Sequence, residues 1–323
     1  MLKVNELSKS YDDLKVLDNV SFSMSEESLV VVGQSGMGKS SLLRIIAGLL
    51  DSDQGQVYLS DRKILGPKRK LVPGYEEIQL VHQDLELHPF LTLREAIKAN
   101  LAAYTEDYQE QRIEELLILV GLEGEGHKYP REVSGGQRQK VAIAAALANE
   151  PTLLLLDEPF SNLDPFSKTT LLQHIKVEVK KLGTAVIMVT HDTKDAIIFA
   201  DRIFVLRNGR IVQEGTPEQI YFEPQDEKVA RFFGPMNILS QADFLKQLGI
   251  KISKGKSVGI RPEFLVLAEN GLEVSIKSSL FLGDRFLNTA TIEEVELLFY
   301  SNKLLEPGSR VFLKLQGNNL TYL

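Results

Sequence analysis

The chain of 323 residues has no cysteine and no tryptophan, only five histidines, and no long apolar run. Each absence excludes something. Without thiols there is neither a disulfide scaffold nor a cysteine-ligated zinc site. The longest apolar candidates, Leu29 to Val32 and Leu153 to Leu156, have the length of buried strands and fall far short of the roughly 18–20 residues that span a bilayer. Any membrane role therefore has to come through a partner. The first residues, Met1 to Tyr11, carry Lys3, Glu6 and Lys9 among their apolar neighbours and lack the continuous hydrophobic stretch of a secretory signal, which reads as a cytoplasmic start. Positive charge is also short: 37 Lys and Arg stand against 44 Asp and Glu, a net charge of −7. That balance argues against a surface for nucleic-acid phosphates, although Lys68, Arg69 and Lys70 form a local basic patch. What is present is 43% hydrophobic residues spread along the chain, enough to bury one large core or two smaller ones.

The pattern divides the chain into three pieces. Leu2 to Ser8, Ser21 to Met24 and Val57 to Leu59 predict short strands in an antiparallel β layer. Leu29 to Val32 is a strand covered on both faces, followed by glycines and by Leu42, Leu43, Ile45 and Ile46 at helical spacing. From about Asp84 to Glu150 the pattern is helical; Ile113, Leu116, Leu117 and Val120 mark one apolar face, stopped near Gly121. Strands resume at Leu153 to Leu156, Ala185 to Val189 and Ile203 to Leu206, with a helix over Thr169 to Leu182, an alternation that predicts parallel βαβ units. After Phe233-Gly234-Pro235, the segments Ser257 to Leu267, Leu272 to Ile276, Glu296 to Tyr300 and Arg310 to Lys314 read as short strands of a small β domain.

Two motifs carry phosphate chemistry. Gly33-Gln34-Ser35-Gly36-Met37-Gly38-Lys39-Ser40 fits G-x-x-x-x-G-K-[ST], between a buried strand and a helix. Gly33, Gly36 and Gly38 let backbone N–H groups converge on an anion at a helix N-terminus, Lys39 reaches the β- and γ-phosphates, and Ser40 is placed for Mg²⁺. Ser35 and Ser41 are counted with the same loop. The run Leu153 to Leu156 leads into Asp157-Glu158-Pro159, so two carboxylates stand at the carboxyl end of a buried strand, where open α/β sheets hold ligands. Asp157 suits Mg²⁺, and Glu158 is the candidate general base toward a water at the γ-phosphate.

Between these motifs lies Ser134-Gly135-Gly136-Gln137, before the apolar stretch Val141 to Leu147. Read alone, Ser134 caps a helix and offers a further anion site. With the two phosphate motifs on either side, residues 1–234 resemble an ATP-binding cassette (ABC) ATPase. The resemblance implies that Ser134, Gly135, Gly136 and Gln137 bind the γ-phosphate of ATP held by an opposite subunit. It further implies that Tyr11 stacks on adenine and that Gln83 is the Q-loop glutamine sensing Mg²⁺ or the attacking water. Ser161 to Asp164 would be the D-loop along a dimer interface, and His191 the switch histidine at the γ-phosphate. The sequence departs from the family pattern at Val133, where leucine is commoner, at Ala145, where many relatives have arginine, and at His82, where an apolar aromatic is common.

The last quarter, with Val258-Gly259-Ile260-Arg261-Pro262-Glu263 and the preceding Phe233 to Asn237, resembles the TOBE-type domain of importer ATPases for sugars, polyamines, ferric iron and some oxyanions. The fold class expected is therefore α/β: a P-loop NTPase core with an antiparallel β layer and a helical subdomain at about 84–150. A small all-β OB/TOBE-like domain over 235–323 would follow it. The resemblance implies an ATP- and Mg²⁺-dependent homodimer at the cytoplasmic face of the inner or plasma membrane. It would be bound to transmembrane permease subunits, served indirectly by a solute-binding protein, and without a nucleic-acid partner. Leu85, Leu87, Phe90 and Leu91 serve equally as a permease-docking surface or as core. The competing readings are an exporter ATPase, a soluble ABC ATPase acting on nucleic acid or ribosomes, and a regulatory module controlled through the C-terminal domain.

Overall fold

A computed structural model of the chain describes residues 1–82, 87–240, 248, 250, 257–317 and 320–322. They fall into two units, Met1–Pro217 and Glu218–Leu323. Residues 218–234 group with the second unit, whereas the sequence reading set them with the first.

In the first unit the elements are β1 (Leu2–Tyr11), β2 (Leu14–Met24), β3 (Ser28–Val32), α1 (Lys39–Ile46), β4 (Gln54–Leu59), β5 (Arg62–Ile64), β6 (Ile78–Val81), α2 (Leu93–Lys98), α3 (Glu106–Leu119), α4 (Gly135–Leu147), β7 (Leu153–Asp157), α5 (Pro165–Leu182), β8 (Ala185–Thr190), α6 (Thr193–Phe199), β9 (Arg202–Arg207) and β10 (Arg210–Gly215). Among the described residues β2-β1-β4-β5 form one sheet and β10-β9-β3-β8-β7-β6 another. The first is antiparallel throughout. In the second, every neighbouring pair from β9 to β6 is parallel and β10 closes the edge antiparallel to β9.

The apolar runs explain this arrangement. β3, β7 and β8 are buried at every position, as central parallel strands covered on both faces must be. The core between the two sheets joins Leu2, Val4 and Leu17 to Leu29, Leu42 and Phe204, with the Phe22 and Phe204 rings edge to face at 5.2 Å. In the helical insert, Ile113, Leu116, Leu117 and Val120 are all buried, and Gly121 takes the left-handed φ of +68° just past the end of α3. A parallel sheet places all its strand ends of one sense along one rim, and that rim carries the phosphate loop and both acidic residues.

The second unit contains α7 (Pro217–Phe222, which begins at the boundary), α8 (Glu227–Phe232), β11 (Asn237–Leu239), β12 (Val258–Ile260), β13 (Leu265–Ala268), β14 (Leu272–Phe281), β15 (Phe286–Ile292), β16 (Val295–Ser301), β17 (Arg310–Leu315) and β18 (Thr321–Tyr322). Its described strands form the sheets β11-β12-β18 and β13-β17-β14-β15-β16, antiparallel throughout. The strands from Asn237 onward are the antiparallel β domain expected, with two short helices before them in the same unit. The single strand predicted over Ser257 to Leu267 is instead two strands parted by a 3-10 turn at Pro262–Phe264, since proline at the first position of the turn has no N–H for a ladder. Arg261, 2% exposed, donates to the carbonyls of Ala230, Gly234, Pro235 and Tyr221, which explains the arginine of that motif as the clasp of the connecting segment.

Candidate functional site

The chain leaves β3 at Val32 and turns through the glycines into α1. Gly38 caps the helix at a left-handed φ of +84°, and a Cβ there would stand 2.3 Å from the Val16 carbonyl oxygen. Glycine is the residue that fits both constraints. Lys39, 5% exposed, donates from Nζ to the carbonyls of Gly33 at 2.8 Å and Gln34 at 2.9 Å. Burial holds its pKa below the ordinary lysine value, while the Glu158 and Asp157 carboxylates act in the opposite direction. Ser35 and Gly36 are exposed at the crest of the loop. Tyr11 reaches the loop helix through its hydroxyl, 3.2 Å from Ser41 Oγ. Its ring is half-exposed, with the Lys9 ammonium 5.5 Å from the ring centre.

Asp157 ends β7 and accepts a hydrogen bond from Ser40 Oγ at 3.0 Å. Burial pushes its carboxyl pKa up; the Ser40 hydrogen bond opposes that shift and neighbouring Glu158 adds to it. Glu158 adopts a left-handed φ of +47°, strained for a residue with a side chain. Its N–H donates to the Val189 carbonyl at 3.0 Å. That places the carboxylate against the end of β8, with Oε2 3.1 Å from His191 Nδ1. The β7–β8 register, with Asp157 opposite Val189, brings these two residues together from well-separated positions in the chain.

The signature turn is built as a helix start. Ser134 accepts from the Gln137 N–H at 3.1 Å and the Gln137 side chain accepts from the Ser134 N–H at 3.0 Å, a reciprocal capping box. Among the described residues the hydrogen bonds of Ser134 and Gln137 stay within the helical insert, Gln137 donating further to Glu125 at 2.9 Å. Gly135 is half-buried and Gly136 buried; a Cβ on Gly136 would lie 2.7 Å from Leu163 and 3.0 Å from the Asn162 carbonyl oxygen. Asp164 caps α5 by accepting from the Ser167 N–H at 3.0 Å, and its bonds to Ser167 hold its carboxyl below the ordinary aspartate value. Gln83 lies outside the described residues.

Several groups of the site have no local sequence signal. Lys168 bridges Asp192 at 2.6 Å and Asp195 at 2.7 Å, binding α5 to the start of α6 beside His191. Gln139, with no exposed surface, contacts both Glu158 and Asn162. A cleft of about 580 Å³ is lined by His82, Leu87, Leu91, Ala142 and Ala145, while Phe90 at its edge is 78% exposed. Leu85 lies outside the described residues. Ala145, the position where many relatives have arginine, is part of that lining.

A phosphate loop, a carboxylate bonded to the loop serine, and a glutamate–histidine pair along one sheet rim define a P-loop ATPase. The family model described as ABC transporter matches residues 17–161. The chain is 37% identical over 290 residues to the molybdate/tungstate import ATP-binding protein WtpC of Pyrococcus abyssi, covering 86% of this chain and 83% of that one. Among solved structures it resembles the ATP-binding cassette MJ0796, seen as a dimer in a post-hydrolysis state bound to ADP and Pi, with a TM-score of 0.61 and 31% identity over 67% of this chain and 99% of that one. It also resembles cbiO1 of Clostridium perfringens, part of the ABC transporter complex cbiONQ, with a TM-score of 0.60 and 29% identity over 68% of this chain and 89% of that one. The chain belongs to the ATP-binding proteins of ABC transporters. It is an ATPase whose hydrolysis is coupled to transport.

Proposed function

We propose that the chain acts as a homodimer that energises import of a solute through separate permease subunits at the cytoplasmic membrane face, supplied by a solute-binding protein. The observation that carries the reading is the Glu158–His191 contact of 3.1 Å on the rim that also holds Lys39, Ser40 and Asp157. Lys39 and the loop amides bind the β- and γ-phosphates and Tyr11 offers its open ring to adenine. Glu158 takes the proton of the attacking water, and His191 orients that carboxylate and contacts the γ-phosphate. Ser134, Gly135, Gly136 and Gln137 complete the partner's site, with Asp164 and its segment along the interface. The exposed Ser134 hydroxyl at a helix N-terminus supports that role.

Asp157 fits a divalent cation. It is a buried carboxylate bonded to the Ser40 hydroxyl, with its pKa raised by burial, and a cation would compensate that burial. Mg²⁺ binds through one or two carboxylates and keeps its other positions for substrate phosphates and water, so phosphate oxygens and water would complete the shell. Held by Ser40 and Asp157, Mg²⁺ would neutralise developing phosphate charge; the sequence resemblance adds Gln83 to this set. Among the described residues no helix is long and apolar enough to cross a membrane; the cleft lined by Leu87 and Leu91 with Phe90 exposed beside it supports permease docking there. The relative's cargo makes tetrahedral oxyanions the first class to test, by screening the binding protein that co-purifies with the complex.

Glu158→Gln is the direct test. It should bind ATP, lose about 10²–10⁴-fold in turnover, and accumulate as an ATP-bound dimer in size-exclusion chromatography. Parental turnover in this variant would remove the base assignment.

A further inference from the structure

Gln139 sits one turn beyond the Ser134 cap on α4 and has no exposed surface. A buried amide must satisfy both of its ends. Its Nε2 donates to the Glu158 carbonyl oxygen at 3.3 Å, and its Oε1 accepts from the Asn162 N–H at 3.3 Å. The partners fix its orientation, since a carbonyl only accepts and a backbone N–H only donates. A second contact runs in parallel: Gly136 packs closely on Asn162 and Leu163, where a Cβ would lie 3.0 Å from the Asn162 carbonyl oxygen and 2.7 Å from the Leu163 side chain. The Glu158 backbone is itself strained at φ +47° and held on its other side by Val189, so its conformation depends on what grips it.

We infer that Gln139 is a positioning residue that locks the signature turn, Glu158 and the segment Ser161–Asp164 into one block. This rests on the shared-site reading above, in which Ser134 serves the partner's nucleotide and Glu158 serves its own. The block then joins the two half-sites of a single chain: seating of the signature turn on one ATP bears directly on the carbonyl of the residue that activates water at the other. A side chain without the amide leaves the Glu158 carbonyl and the Asn162 N–H without this partner and uncouples the two.

The test uses the full-length protein with Gln139→Met, which keeps the volume and removes both hydrogen-bonding groups. Affinity for a fluorescent ATP analogue should stay within about twofold of the parent, since the phosphate loop is untouched. The kcat should fall at least tenfold, and the Hill coefficient for ATP should drop toward 1. Gln139→Leu, which likewise lacks both hydrogen-bonding groups and adds no buried charge, should give the same loss of kcat and Hill coefficient, and supplies the readout should Gln139→Met fail to fold. A folded variant with parental kcat and Hill coefficient overturns the proposal. Glu158→Gln run beside it separates the two readings: if that variant forms no ATP dimer, the shared site itself falls; if it dimerises while the Gln139 variants behave as the parent, only the role of Gln139 does.

Discussion

Asp157 sets stability against function within a single side chain. Its folded pKa lies above the ordinary value of 3.8 because burial disfavours the charged form. The sign follows from linkage: a carboxyl that holds its proton more tightly when folded lowers stability as pH rises through that window, and the cost is fully present above the folded pKa. Asp157→Asn keeps an acceptor for Ser40 and removes the buried charge. Without nucleotide it should melt above the parent at pH 7, by roughly 2–4 °C for each kcal/mol relieved. The difference should shrink as pH falls and the parental carboxyl takes up its proton. Differential scanning fluorimetry across a pH series checks the trend, and a phosphate-release assay should show hydrolysis lost. A parent that is the more stable of the two at pH 7 would contradict the burial argument.

At the level of single elements, what could be read in advance was whatever is contiguous. The phosphate loop and the run into Asp157-Glu158 are short segments whose spacing carries their chemistry, and both stand on the rim expected. The face of α3 was legible because its period is local. Strands β6, β10 and β15 were not foreseen: β6 is four residues long, and β15 runs through the polar Asn288-Thr289, where the buried Asn288 is bonded to Ser301 across β16. Gln139 and Lys168 were missed for a related reason, since their partners lie on other elements and no window along the chain contains them. The loop also yields a firm expectation. Gly38→Ala adds a Cβ 2.3 Å from the Val16 oxygen at a φ of +84°, conformational strain of about 1–2 kcal/mol before the clash is counted. The variant should keep its helical circular dichroism while ATP affinity falls at least tenfold by equilibrium titration.

On the scale of the whole molecule, the sequence pattern located a second β domain but placed its edge later than the structure does. Residues 218–234 hold short helices that look the same whether they close one unit or open the next; the carbonyls of Tyr221, Ala230 and Gly234 held by buried Arg261 tie them to the β strands, a link between distant positions. Assembly makes its own prediction. Ser134→Arg sets a long cation at an exposed cap, so each chain should bind ATP with near-parental affinity while the pair fails to close. Light scattering with the Glu158→Gln background should then report a monomer, and a persistent ATP-dependent dimer would rule out the shared pocket.

Burial of the Asp157 carboxylate has an outcome for anyone improving this protein in the laboratory. A screen that rewards heat resistance alone would enrich replacements at position 157 and deliver robust but inert transport motors. Selection has to be run on growth or flux, with thermal tolerance measured second.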